Sequence, residues 1–122
     1  MNDRFKLRWP LLKDRTNKFI EFVYGDCFVG KPFDPPTKHF GEPQQCTGLR
    51  DKNGNLIYEG DILKPNGNTI TKEVVYEDGS YWAKDTIYFH DKCHIFQKWI
   101  NECGYEIIGN IHENKELLDE RR

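Results

Sequence analysis

Cys46-Thr47-Gly48-Leu49-Arg50-Asp51-Lys52-Asn53-Gly54-Asn55-Leu56-Ile57-Tyr58-Glu59-Gly60-Asp61-Ile62-Leu63 is the stretch whose reading decides the fold. Residues 51–55 lie between two short apolar runs, and their Asn53-Gly54 pair readily adopts positive φ, which is the grammar of a tight β-hairpin. Glu59-Gly60-Asp61 then turns the chain into Ile62-Leu63. Beyond it, Pro65-Asn66-Gly67-Asn68 is a second strong turn, residues 69–76 are rich in β-branched side chains, and Asp78-Gly79 is a third turn before Ser80-Tyr81-Trp82-Ala83. Short strands with turns about every 8–12 residues predict a mostly β fold, a small antiparallel barrel or barrel-like twisted sheet, with the SH3-like barrel among the architectures this pattern admits.

The period changes toward the C-terminus. Ile95, Phe96, Trp99, Ile100 and Cys103 fall on one helical face, predicting a helix near residues 91–103, with Asp91 as its cap and Gly104 as its left-handed terminator. Residues 105–111 read as a final strand. A second short helix is expected from Asn114, its cap, to Glu120, with Glu116 in the positive first turn; it depends on docking Leu117 and Leu118.

Toward the N-terminus, Phe5, Leu7 and Trp9 alternate with Arg4, Lys6 and Arg8, the pattern of a strand with one buried and one wet face. Pro10 is expected to limit how far it runs. A polar turn over residues 13–18 leads into Phe19-Ile20-Glu21-Phe22-Val23-Tyr24, so residues 1–29 form an N-terminal hairpin region. Four of the six prolines lie in residues 30–45, read as an irregular connection, and residues 46–122 hold the β core. At 122 residues the whole is expected to be one domain.

Composition narrows the function classes. An aromatic content of 14% argues for an ordered core, and a net charge of −2 excludes a globally basic nucleic-acid binder. Residues 1–10 lack the apolar run of a secretory signal, and no stretch approaches the ~20 apolar residues that span a bilayer, so a cytoplasmic protein without a membrane partner is expected. Cys27, Cys46, Cys93 and Cys103 are then expected to be reduced and mostly packed as small hydrophobes.

Three segments in order carry a family resemblance. They are Thr47-Gly48-Leu49-Arg50-Asp51-Lys52-Asn53-Gly54 through Ile57-Tyr58-Glu59-Gly60-Asp61-Ile62, then Val75-Tyr76-Glu77-Asp78-Gly79, then Glu106-Ile107-Ile108-Gly109-Asn110-Ile111-His112-Glu113-Asn114 through Leu117-Leu118. Together with the opening Phe5-Lys6-Leu7-Arg8-Trp9, they resemble the YopX family of bacteriophage and prophage proteins. The resemblance implies a phage or prophage gene, a mostly β fold and a homo-oligomer, and it supplies no catalytic residues. Lys115 stands where that family often has proline, which leaves the start of the last helix less fixed.

Read physically, Thr47 to Ile62 is expected to be turn architecture, with Gly54 and Gly60 permitting positive φ and Asp51 and Asp61 bonding neighbouring backbone N–H groups; Thr47, Gly48, Leu49, Tyr58, Gly109, Asn110 and Asn114 are the other motif residues expected to be structural. Candidate chemistry elsewhere is thin. His90 and Cys93 have a spacing that can begin a zinc site, with His94 and Cys103 nearby, but a closed site needs four ligands and no Cys-x-x-Cys completes it. Cysteines with His39, His90, His94 or His112 show no nucleophile-and-base spacing, and Glu59, Asp61, Glu77 and Asp78 sit at turns, where carboxylates usually bond the backbone. Neither a phosphate-binding Gly-x-x-x-x-Gly-Lys loop nor Gly-x-Gly-x-x-Gly is present.

The N-terminal hairpin is the one local charge asymmetry. Through Lys18 it holds six cations against two anions, and Arg4, Lys6 and Arg8 are the candidate surface for nucleic acid or a partner. Tyr81, Trp82 and Tyr88 could add stacking area. The expectation is a non-enzymatic phage accessory protein without cofactor, acting through contacts with a phage or host protein and with its own copies. A nucleic-acid-binding β-barrel is the alternative.

Overall fold

A computed structural model gives the fold and describes residues 5–26, 30–67, 70–86 and 91–113. The chain divides into two compact units, Met1–Cys46 and Thr47–Arg122. Antiparallel strands are the main secondary structure described in both, so the fold is mostly β.

In the first unit β1 (Lys6–Lys13) is the central strand. It pairs antiparallel with β2 (Phe19–Asp26) from Lys6↔Asp26 to Leu12↔Phe19. It also pairs with β3 (Lys38–Phe40) and with the first residues of β4 (Gln44–Arg50). Pro10 does not end β1, and the reason is positional. β4 pairs at Leu7 and Arg8 and β3 at Leu11 to Lys13, so Pro10 falls in the gap between them, where its carbonyl accepts the Gly41 N–H at 2.9 Å. The ring therefore removes a donor where no ladder bond is required. The proline-rich residues 30–45 likewise hold β3 and the start of β4 rather than irregular chain throughout. Trp9, Leu11 and Phe40 form this unit's core, with Leu7 and Val23 against it.

The second unit contains the rest of β4, β5 (Leu56–Tyr58), β6 (Asp61–Lys64), β7 (Lys72–Glu77), β8 (Ser80–Asp85), β9 (Lys92–His94), α1 (Gln97–Cys103) and β10 (Glu106–Asn110). Five of these strands pair in the order β10-β6-β7-β8-β9. Asp78 and Gly79, with φ of 51° and 79°, make the primed two-residue turn that matches the twist of β7 and β8. Ile57, Leu63, Val74, Ile100 and Tyr105 are buried together, with Leu49, Tyr81, Ile95, Trp99 and Ile107 packed on them.

The helix is shorter than its apolar pattern predicts. Lys92–His94 pair with Trp82 to Lys84 of β8, so ladder hydrogen bonds claim the backbone that Asp91 was expected to start as helix. The helix begins only after Phe96, which is extended and makes no side-chain cap. Of the predicted stripe, Ile100 is fully buried, Phe96 is 53% exposed, and Cys103 is exposed rather than packed. Gly104 does terminate the helix in the left-handed region, with φ 65°. A Cβ there would displace the Asn66 side chain, and the positive φ itself is what favours glycine. Asn114, Leu117, Leu118 and the second helix expected around them lie outside the described residues.

This phase of α1 is testable by denaturant unfolding. Ile100→Ala is expected to cost about 2–5 kcal/mol, and Phe96→Ala about 0.5 kcal/mol or less; the reverse order would contradict it.

Candidate functional site

The turn joining β4 to β5 is organised by one carboxylate. Asp51 is 4% exposed. Its Oδ1 accepts the backbone N–H groups of Asn53 at 3.0 Å and Asn55 at 2.9 Å, and its Oδ2 accepts that of Ile107 at 3.0 Å. The first two bonds shape the turn; the third fastens β10 to it. Other bonds join the same place: Lys52 N–H donates to the Tyr105 carbonyl at 2.9 Å, and the Gln97 side chain both accepts from Arg50 N–H, at 2.9 Å, and donates to the Arg50 carbonyl, at 2.7 Å. The Arg50 guanidinium closes the loop on the Gly54 carbonyl at 2.8 Å.

Other described motif residues also bond or bend the backbone around them. Thr47 Oγ1 donates to the Ile57 carbonyl at 2.8 Å and accepts the Leu49 N–H at 3.1 Å. Asp61, buried, accepts the N–H of buried Tyr58 at 2.8 Å. Gly48, Gly54 and Gly60 have φ of 82°, 85° and 90°. Gly60 N–H donates to the Val74 carbonyl, and its own carbonyl accepts the Ile111 N–H. Gly109 follows a register shift and pairs with Ile62. Asn110 Oδ1 accepts the N–H groups of His112 and Glu113 at 2.9 and 2.8 Å, holding the turn that leaves β10.

The acidic residues considered for a cation are thus dispersed. Asp61 bonds its own turn, Asp78 occupies a primed turn, and Glu77 is ion-paired with Lys92 at 2.9 Å and Lys84 at 3.6 Å. The Lys92 hydrogen bond is the main reason the Glu77 carboxyl lies below its ordinary range. Among the described residues no group of three or more His, Cys, Asp or Glu side chains is placed to hold a metal ion. His90 lies outside the described residues. His94 stacks on Trp82 with centroids 3.8 Å apart, and the Lys92 ammonium lies 4.5 Å from the Trp82 ring. Cys46, Cys93 and Cys103 are reduced; Cys27 is outside the described residues. Burial pushes the Cys93 thiol above its ordinary value, the opposite of what a nucleophilic cysteine requires.

The basic stripe expected on the N-terminal strand is corrected by Arg8. This residue is 4% exposed, its Nε donates to Gln44 Oε1 at 2.7 Å, and its guanidinium lies 4.0 Å from the Phe22 ring centroid. A planar, weakly hydrated cation suits such a place, stacked on an aromatic and satisfied by an amide. Lys6 is half-buried, and Arg4 lies outside the described residues. Of the aromatics proposed for stacking, Tyr81 sits edge-on to Tyr76 at 5.0 Å and packs toward the core, Trp82 is already covered by β9, and Tyr88 is outside the described residues. The Trp82–His94–Lys92 stack escaped the sequence reading, since only the β8–β9 register brings these positions together.

What the fold and this site define is a β protein whose motif carboxylates and amides hold its own backbone. A family model described as YopX protein matches residues 14–119, and the chain belongs to that family of phage and prophage proteins. Among solved structures, the chain is similar to protein EF1440 from Enterococcus faecalis. The identity is 29% over 93% of this chain and 96% of that one, with a TM-score of 0.56. Comparison with curated proteins gave no match.

Replacing Asp51 with Ala strips three amides of their acceptor and is expected to lower stability by about 2–4 kcal/mol, measured by denaturant unfolding. Asp51→Asn, which keeps one acceptor oxygen, should cost less; equal stability of both variants to the native chain would contradict the assignment.

Burial also raises the Tyr105 phenol to about 12. Because an unfolded tyrosine titrates near 10, the folded chain binds more protons in that interval, and stability present below about pH 10 is lost as the pH rises toward 12. Thermal melts over this range should fall more steeply for the native chain than for Tyr105→Phe.

Proposed function

We propose that this protein is a phage or prophage accessory protein that acts through protein contacts, in the first place with further copies of itself. The observation that carries this reading is the distribution of apolar side chains in the first unit. Among the described residues, Trp9, Leu11 and Phe40 form its buried cluster, while Phe5, Ile20, Tyr24 and Phe33 are large, apolar and exposed. A unit with so small a core and so much exposed apolar surface is better matched to an interface than to solvent. On this reading the second unit, taken as a barrel-like scaffold, supplies rigidity, since its motif side chains are spent on turns.

Nucleic-acid binding through the N-terminal strand draws less support. Arg8, one of the three cations it needs, is buried against Phe22 and Gln44.

Light scattering coupled to size exclusion tests the proposal. At tens of micromolar, the full chain is expected to elute with a mass above that of one copy. A monomer mass throughout would contradict it.

A further inference from the structure

One end of the first unit carries cations that its own fold does not use. Lys13 closes β1, and residues 14–18 turn the chain back into β2. Lys13 N–H donates to the Lys18 carbonyl at 2.9 Å, Asn17 N–H to the Lys13 carbonyl at 2.9 Å, and Lys18 N–H to Thr16 Oγ1 at 3.2 Å. β3 joins the same end, where Lys38 pairs with Lys13 and Asp14 N–H donates to the Thr37 carbonyl at 3.1 Å. Lys13, Arg15, Lys18 and Lys38 are thus gathered on ordered backbone, the first three exposed and Lys38 half-buried. Among the described residues, none of these four side chains has an ion pair or hydrogen bond.

The nearby anions are engaged. Asp14 Oδ1 lies 3.1 Å from His39 Nδ1. Asp34 accepts the Phe40 N–H at 3.0 Å and lies 3.8 Å from the Lys31 ammonium. Residues 13–18, 37 and 38 hold four cations against Asp14 alone, a local net of +3. Two features of this end work against folding. Lys13 and Lys38 stand directly opposite in the ladder, where like charges repel. Arg15 has φ 70°, in the left-handed region that residues with a Cβ seldom adopt. An anion seated among the cations relieves the repulsion, and a turn already ordered loses little entropy in receiving it.

Chemistry selects the anion. Residues 13–18, 37 and 38 include no apolar side chain, whereas protein interfaces are anchored by aromatic and apolar residues and are depleted in lysine. They include no aromatic ring, the platform on which single-stranded bases stack. Lysine, arginine, threonine and asparagine are the side chains that contact phosphate oxygens and sugars. We infer that this end of the hairpin binds the phosphate backbone of a nucleic-acid duplex, without reading its sequence. The surface differs from the strand face of Lys6 and Arg8 weighed above. It is also independent of self-association, so neither reading falls with the other.

Fluorescence anisotropy tests it, with labelled DNA and RNA duplexes of about 20 base pairs and one sequence, titrated with the full chain between about 20 and 200 mM salt. Binding to at least one duplex is expected, with the logarithm of the association constant falling against that of salt at a slope of about −3 to −4, as for up to four neutralised phosphates. The ratio of the two affinities tells which duplex is the ligand. Lys13→Gln, Arg15→Gln and Lys38→Gln should each weaken binding about 3- to 10-fold at low salt and bring the slope about one unit nearer zero. Lys98→Gln, which removes an exposed lysine of α1, should change neither. Melting temperatures equal to that of the native chain show that the variants fold. No salt-sensitive binding to either duplex, or turn variants that bind like the native chain, overturns the inference. Tighter binding to the single strand, or to polyglutamate as an acidic polypeptide, overturns the choice of a duplex and the inference with it.

Discussion

Three backbone amides, those of Asn53, Asn55 and Ile107, converge on the carboxylate of Asp51, and the second unit depends on that convergence. Turn residues leave N–H groups that no ladder can use, and a buried amide without an acceptor is costly. An ionised carboxylate is the strongest local acceptor, and with two oxygens it serves two directions at once. One oxygen shapes a turn next to its own residue, and the other reaches a strand 56 residues later. Local geometry and tertiary closure are therefore held by the same side chain.

The functional reading follows from this use of polar groups. Asp61 and Asn110 bond the backbone of their own turns and Thr47 bonds that of the adjacent strand at Ile57, so the most distinctive segments of the chain build a scaffold. Contacts with other molecules must then come from what the scaffold leaves outside. In the first unit this means aromatic and aliphatic side chains displayed around the small cluster that Trp9, Leu11 and Phe40 form among the described residues. Arg8 illustrates the same economy: it reads in sequence as a phosphate contact and in the fold serves as packing beneath Phe22.

How much was legible in the sequence depended on the range of each interaction. The bonds of Asp51 to residues 53 and 55 and of Asp61 to Tyr58 span two to four positions, and Gly, Asn and Asp advertise such geometry directly, whereas the turn held by Asn110 lay in what reads as strand. The primed Asp78-Gly79 turn and the Gly104 terminator were readable for the same reason. Longer-range effects were not. The burial of Arg8 depends on Gln44, 36 residues away, and the extent of the helix depends on β8 capturing Lys92–His94 before a first turn could form. Pro10 persists inside a strand because of where two other strands begin and end, which no local pattern encodes. The link from Asp51 to Ile107 was equally hidden, since nothing near either residue announces the other.

Amide hydrogen exchange in the native chain and in Asp51→Ala measures the central claim most directly. If one carboxylate holds both the turn and the final strand, Asn53, Asn55 and Ile107 should all be protected in the native chain, and all three should exchange faster in the variant. Continued protection of Ile107 while the two turn amides accelerate would show that β10 is held by other means, and would contradict the account.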